Sequence, residues 1–482
     1  MSGGQAAQRR SERLFLRSLT ATDAAGDGAH TALAWVKACN EQVQARVERI
    51  AFKDMKLWRR DPDGDSIRHE SGKFFSIEGI RVTTNWGRVP SWDQPIINQP
   101  EIGYLGFIAK EIDGVLHFLT QAKVEPGNVN HVQLSPTIQA TRSNYTQVHA
   151  GKKPLYLEYF QKASAGNVLL DQLQSEQGAR FRQKRNRNII ILADEDVPTY
   201  DNFKWLTLGQ LKRLMRLDNV VNMDTRTVLS GISYGSYRDD ALELHGALTS
   251  DRNGARAMGP FCRSALSLEH ALHSIDELIH FLTELKSRYD LSLEKIPLGE
   301  ARDWRSAPDE ISRPDGKYFK VIAVDVAISS REVVTWHQPM IQPAQPGICA
   351  FVCKELNGVV HFAVQAKLEC GNKDIIELAP TVQCLTGDYR APDSEPVPFI
   401  DYVLKASADQ VLLDVWQSEE GGRFFREQNR NMIVVAEDDF PRELPEKYIW
   451  MTLNQLLFFI KLNNYLNIQA RSLLAAVALY EE

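Results

Sequence analysis

Apolar and polar residues alternate in two rhythms along the chain, and the order of those rhythms is the same in both halves. A helical spacing opens each half, in TALAWVKACNEQVQARVERI near residues 31–50 and LEHALHSIDELIHFLTELKSRY near 268–289. A Trp-Arg loop follows (Trp58-Arg59, Trp304-Arg305), then Gly-Lys-aromatic-Phe opening a strand at Gly72 and Gly316. Asp113-Gly114 and Asn357-Gly358 sit between alternating segments and predict β-hairpins. LLDQLQSEQGARF (169–181) and LLDVWQSEEGGRF (412–424) read as amphipathic stretches, most simply a helix end tied by Glu–Arg pairs. NIIILADED (188–196) and NMIVVAEDD (431–439) read as buried strands. TLGQLKRLMRLDNVVNMDTRTVL and TLNQLLFFIKLNNYLNIQARSLL each read as one closing helix. Strands flanked by helices predict an α/β fold with a mixed sheet in each half. The first twenty residues read as disordered and 231–265, weakly periodic, as a linker. The repeats then run over 21–230 and 266–482.

The hairpin's second strand carries the strongest signal. HFLTQAKVEPGN at 117–128 returns as HFAVQAKLECGN at 361–372. His117, Gln121, Lys123 and Glu125 survive as His361, Gln365, Lys367 and Glu369. Residues two apart share a strand face, so all four point one way, while Phe118, Ala122 and Val124 form a core face. A face of His, Gln, Lys and Glu retained in both copies fits the wall of a ligand pocket better than a solvated surface.

A chain of 482 residues is too long for one ordinary core, and 43% hydrophobic content is that of a globular protein. A net charge of −6 argues against bulk nucleic-acid binding, although Arg180, Arg182, Lys184, Arg185 and Arg187 form one basic cluster. No apolar run is long enough to span a bilayer, and the polar N-terminus lacks a signal-peptide segment. The six cysteines do not recur between the halves, so thiols in a reducing cytoplasm are expected rather than disulfides or a zinc site. His270, His273 and His280 have no counterparts and no acidic or Cys partner, and read as ordinary helix histidines.

The remaining shared residues are anion binders and stacking surfaces. Two tryptophans per half, with Tyr145 or Tyr389, offer flat faces for a base. In Thr141-Arg142-Ser143-Asn144-Tyr145 a guanidinium among hydroxyls suits a diphosphate. The second copy has Leu385-Thr386-Gly387-Asp388-Tyr389 there and lacks the arginine, which weighs toward the first half as the working site. Gln174, Ser175, Glu176 and Arg180 recur as Gln417, Ser418, Glu419 and Arg423. No dinucleotide fingerprint, Walker loop or metal-ligand cluster appears, so proton transfer, or binding without chemistry, is expected, with neither cofactor nor metal.

The segments WDQPIINQPEIGYLGFIAKEIDGVLHFLTQAKVEPGN, SPTIQATRSNY and QSEEGGRFFREQNRN resemble the sugar-nucleotide 2,3-dehydratases of deoxysugar biosynthesis, over nearly the whole chain. The resemblance implies two tandem Nudix-like domains, a homodimer and a substrate of dTDP-4-keto-6-deoxy-D-glucose. It further implies a 3,4-diketo-2,6-dideoxy product that a partner 3-ketoreductase reduces. QSEEGG falls where a Nudix helix carries its glutamate-rich metal box, but the Arg-Glu-x-x-Glu-Glu set is missing, which speaks against metal-dependent hydrolysis of the nucleotide. The implied chemistry is removal of the C3 proton, stabilisation of an enolate at O4 and protonation of the leaving C2 hydroxyl. The base falls to His117 or His361, or to Glu125 or Glu369. Lys123 or Lys367 would hold the enolate or a phosphate, and Tyr145 or Tyr389 would be the acid. The resemblance places nucleotide-sugar contacts on Trp58, on Thr141, Arg142, Ser143, Asn144 and Tyr145, and on Trp304, Lys367, Gln383, Asp388 and Tyr389. The turn Glu420, Gly421, Gly422 and Arg423 completes them. A non-catalytic sugar-nucleotide binder and a metal-dependent hydrolase are the rival expectations.

Overall fold

The computed structural model describes residues 3–22, 28–61, 64–141, 143, 153–238, 260–331, 333–385 and 396–480. Among them the strands form four sheets, two of seven strands and two of five. Each half supplies one seven-stranded sheet. In the first, Arg185–Leu192 runs parallel to Gly103–Ile112 and the other pairings are antiparallel; in the second, Gln428–Val435 runs parallel to Gly347–Leu356 in the same way. The fold is therefore α/β with mixed sheets, and both hairpins form. At Asp113-Gly114 both residues have positive φ (50° and 79°), the tight turn for which Asp-Gly is suited.

The five-stranded sheets are not confined to their own halves. Strand Ala45–Ile50 pairs antiparallel with Phe319–Ile328, register Ala45 to Ile328. Reciprocally, Leu291–Ile296 pairs with Ser76–Thr84, register Leu291 to Thr84. Each half lends one strand to the other. The cores merge accordingly. Phe181 and Phe424 meet edge to face at 5.7 Å within one cluster that also holds Trp58, Phe75, Phe319 and Ile341. Two buried arginines cross-tie the halves. Arg226 donates to Ser418 O at 2.6 Å and to Gln417 Oε1 at 2.7 Å, while Arg471 donates to Ser175 O and, at 3.0 Å, to Thr227 Oγ1.

Several elements differ from expectation for identifiable reasons. The first twenty residues include a helix, Gly3–Thr20, whose Leu14, Phe15, Leu16 and Leu19 are buried. Ser18 Oγ donates to Leu116 O at 2.5 Å and accepts from Leu208 N at 2.8 Å. The end of the expected linker is its counterpart. Helix Pro260–Leu266 places Ser264 Oγ on Val360 O (2.5 Å) and under Leu453 N (2.9 Å). Phe-x-Arg-Ser at 15–18 and 261–264 thus belongs to the repeat. The helix near 31–50 stops at Gln42, and the rest is the exchanged strand. The helix expected near 268–289 begins at Ile275, where Ser274 and Glu277 form a capping box. Residues 169–181 form no helix end: Val168–Ser175 is a strand followed by a turn, as is Val411–Ser418. The closing helix breaks in two, Leu208–Leu214 and Met223–Ser230, because Asn222 caps a new start by accepting from Thr225 N at 2.9 Å. The six cysteines form no disulfide.

Candidate functional site

A cavity of about 680 Å³ lies between the first half's seven-stranded sheet and the smaller sheets. That is within the roughly 300–1,000 Å³ of small-molecule sites. Gly103, Tyr104, Leu105, Lys123 and Glu125 come from the larger sheet and its edge. An aromatic wall follows, where the Trp58 ring stands 4.7 Å from Phe75 and 5.4 Å from His69. The second half closes the far side. Trp336 Nε1 donates to Gln338 Oε1 at 2.8 Å, and Gln338 Nε2 to Gly422 O at 2.7 Å. The Arg423 guanidinium lies 4.2 Å over the Phe75 ring and donates from Nε to Gln99 Oε1 at 3.3 Å.

The second half's turn is held by very close backbone approach. Gly127 N donates to Gly421 O at 2.7 Å, and Arg426 N to Gly127 O at 2.8 Å. A Cβ on Gly127 would lie 1.7 Å from Phe424 O, so only glycine fits. Gly371 repeats the arrangement with Gly178 and Phe181.

Buried ionisable groups cluster inside. Glu125 Oε1 accepts from Gln139 Nε2 at 2.7 Å and stands 3.8 Å from Lys123 Nζ; its Oε2 has no hydrogen-bond partner. Glu176 accepts from Asn186 Nδ2 at 2.6 Å. Lys184 Nζ donates to Glu101 O, and the Glu101 carboxylate takes Ser143 N at 2.9 Å as well as Ser143 Oγ. Burial brings Lys184 down to about 8, with Glu176 pulling the other way. Burial raises Glu420 to about 7 against the pull of Arg423. Asp224, in the first turn of helix Met223–Ser230, lines the cavity at 2% exposure. Burial first, then Glu176, Glu420 and Glu125, push its carboxyl well above the aspartate range. Carboxyl groups and amines of such divergent character suit proton transfer. Among the described residues no group of three His, Cys, Asp or Glu could hold a metal ion.

The structure separates the residues singled out from sequence. Trp58, Lys123, Glu125, Thr141, Ser143, Glu420, Gly422 and Arg423 line the cavity, and Gly421 supports it. Arg142, Asn144, Tyr145, Asp388 and Tyr389 lie outside the described residues. The histidines are not brought to the site. His117, six residues from Lys123 along the strand or about 20 Å at the usual rise, places Nδ1 2.9 Å from Val115 O. His361 is fully buried, with Nδ1 2.8 Å from Val359 O and Nε2 accepting from Leu272 N at 2.9 Å. Burial lowers the pKa of both.

Trp304, Lys367, Glu369 and Gln383 do not line this cavity either. Trp304 Nε1 donates to Asp93 O at 2.8 Å. Lys367 Nζ donates to Gln383 O at 3.3 Å, Gln383 Nε2 to Glu369 Oε1 at 2.9 Å, and Asn467 Nδ2 to Gln383 Oε1 at 2.7 Å. This set is the second copy's version of the cluster, and it has changed. Gln469 stands where the first copy has Asp224, Glu427 where it has Lys184, and Gln177 where it has Glu420. Residues kept in both copies drew the reading to the polar strand. Asp224, Lys184 and Glu101 were missed, although the Asp/Gln and Lys/Glu differences were visible in the sequence.

The chain matches the family model described as NDP-hexose 2,3-dehydratase over residues 29–232 and 275–477. It is 47% identical to a Saccharopolyspora spinosa protein over 433 residues, covering 89% of this chain and 87% of that one. It is 43% identical to a Streptomyces violaceoruber protein over 448 residues (92% and 96%), and 39% identical to an Amycolatopsis orientalis protein over 472 residues (97% and 93%). All three are named dTDP-4-dehydro-6-deoxy-alpha-D-glucopyranose 2,3-dehydratase.

Proposed function

The chain belongs to the NDP-hexose 2,3-dehydratase family, and from that premise we propose that it is a hydro-lyase acting on dTDP-4-keto-6-deoxy-D-glucose in the cavity of the first half. The product is dTDP-3,4-diketo-2,6-dideoxy-D-glucose, an intermediate of deoxysugar biosynthesis. The observation that carries the reading is the cavity's composition: an aromatic wall at Trp58 beside a dry cluster in which Glu125 and Lys123 stand 3.8 Å apart.

The thymine meets the Trp58 wall, and the diphosphate meets Thr141, Ser143 and the basic rim of Lys56 and Arg331. The C4 ketone acidifies the C3 proton, which Glu125 takes through its unpartnered Oε2. Lys123 carries the charge that develops on O4. The C2–O bond then breaks, and the resulting enol relaxes to the C3 ketone.

Several finer points belong to the same proposal. Each half is a Nudix-like unit, supported by the resemblance and by the mixed sheet, although the strand Val168–Ser175 replaces an expected helix. The repeats are taken as 21–230 and 266–482, each extended at its start by the Phe-x-Arg-Ser helix, which shortens the linker expected at 231–265 from its far end. The enzyme acts as a cytoplasmic homodimer without metal or cofactor, and a 3-ketoreductase consumes its product; the family resemblance supports these points.

The test is incubation with dTDP-4-keto-6-deoxyglucose in deuterated water, with a 3-ketoreductase and NADPH as trap. A trapped 2-deoxy sugar carrying deuterium at C2 is expected, and its loss in Glu125→Gln by about 10²–10⁴-fold. Nucleotide release that depends on added metal would replace the proposal with hydrolysis. Tight dTDP binding with unchanged sugar would replace it with a sensor.

A further inference from the structure

We infer that Asp224 is the acid that protonates the departing C2 hydroxyl. This rests on the reading of the cavity as the dehydration site and adds to it a residue that the shared motifs do not contain. Asp224 lines the cavity while 2% exposed, and its Oδ1 has no hydrogen-bond partner. The helix start does not need it as a cap, because Asn222 Oδ1 already accepts from Thr225 N at 2.9 Å. A buried carboxyl with an open oxygen in a cavity is placed for a ligand rather than for the fold.

Its surroundings hold the proton on it. Burial comes first, and the carboxylates Glu176, Glu420 and Glu125 add to it, opposed by Lys123. The two carboxyl groups keep different company: Glu125, 3.8 Å from the Lys123 ammonium, is the base, and Asp224, among carboxylates, is the acid. The duplicate supplies a built-in comparison. On an equivalent helix start, capped by Asn467, the second copy carries Gln469. Glutamine keeps the polarity and has no proton to give. Gln177 in place of Glu420 also removes part of the field that keeps a carboxyl neutral there.

The step balances. Glu125 removes the C3 proton, the C2–O bond breaks, and Asp224 gives its proton so that water leaves. The Asp224 carboxylate then takes the proton from the enol oxygen at C3 as the ketone forms. Glu125 exchanges the proton it holds with solvent and then delivers one to C2, which is the origin of the deuterium expected there. Both groups return to their starting states, and no oxidant or reductant is needed.

A substrate whose leaving group needs no proton tests this. Asp224→Asn and Asp224→Gln, the latter being the residue the duplicate carries, are compared with the unaltered enzyme on two substrates. These are the natural sugar nucleotide and its 2-deoxy-2-fluoro analogue, with folding checked by thermal melting and dTDP binding. Both variants are expected to dehydrate the natural substrate about 10²–10⁴-fold more slowly. Both are expected to release fluoride at a rate within about threefold of the unaltered enzyme. Fluoride release that falls in parallel with dehydration would overturn the assignment, because Asp224 would then bind or position rather than protonate. Dehydration retained within about tenfold would overturn it too. Failure of the unaltered enzyme to dehydrate would instead sink the underlying reading of the cavity, so the two failures are distinct.

Discussion

Replacing Gly127 by alanine puts a methyl group 1.7 Å from Phe424 O. To reach ordinary contact the carbonyl must retreat by roughly 2 Å. That movement breaks the Gly127 N to Gly421 O and Arg426 N to Gly127 O bonds, now 2.7 and 2.8 Å. Strained overpacking costs about 1–3 kcal/mol and each broken bond, counted as one orphaned buried group, about 1–3, so a loss of roughly 3–9 kcal/mol is expected. Gly371→Ala meets Phe181 O at 1.8 Å and loses the mirror-image bonds, so its stability loss should match. The two variants part in activity. Gly127 holds the turn that carries Glu420, Gly422 and Arg423 into the cavity, whereas the turn held by Gly371 reaches it with Phe181, between Glu176 and Lys184 at its ends. Urea unfolding gives the stabilities, and kcat/KM at low temperature, normalised to the folded fraction, gives the rest. Gly127→Ala should lose about 10²-fold or more and Gly371→Ala clearly less, since an ångström of misplacement costs about 10² and only Gly127 holds the turn that bears the Glu420 and Arg423 side chains. Equal losses of kcat/KM, or an undiminished stability in either, would refute the reasoning.

Lys123→Met should reduce turnover by about 10²–10³-fold and Lys367→Met by no more than a few-fold, measured in the ketoreductase-coupled assay. Similar small losses in both would remove Lys123 from the chemistry. His361→Leu should leave turnover nearly intact while costing about 2–3 kcal/mol, because Leu272 N and Val359 O lose their ring partner. Burial holds His361 below its unfolded pKa of about 6.5, so below that pH the unfolded chain binds the extra proton and the wild type loses stability as pH falls. The leucine variant lacks that loss, so urea unfolding should show the gap narrowing from pH 6.5 downward. A collapse of turnover at full folding would restore the histidine as a base.

Local pattern was readable in the sequence where local forces decide. The Asp-Gly and Asn-Gly hairpins, the polar strand and the α/β class needed only neighbours a few residues apart. The destination of Ala45–Ile50 did not, since an isolated strand has no information about a partner near residue 328. Residues 168–175 and 411–418 mix strand alternation with helix-like spacing, and sheet pairing decided the matter. The site was half readable for a related reason. Comparison of the copies highlights what both keep. That brings out Lys123 and Glu125, which line the cavity, and also His117, which does not. A cavity residue that the copies do not share, such as Asp224 against Gln469, appears there as a difference and is easily passed over.

The exchange of strands also sets a timetable. Trp58 forms one wall of the cavity and Arg423 another, so a ribosome that has made the first must still make the second before a substrate can be held. At about 5–20 residues per second that wait is roughly 20–70 s. Meanwhile Ala45–Ile50 has no partner until residues 319–328 emerge, and an unpaired strand edge is an invitation to the wrong neighbour. A nascent chain of this protein is therefore exposed for most of its synthesis, and a product truncated before residue 423 would carry the Trp58 wall with no chamber around it.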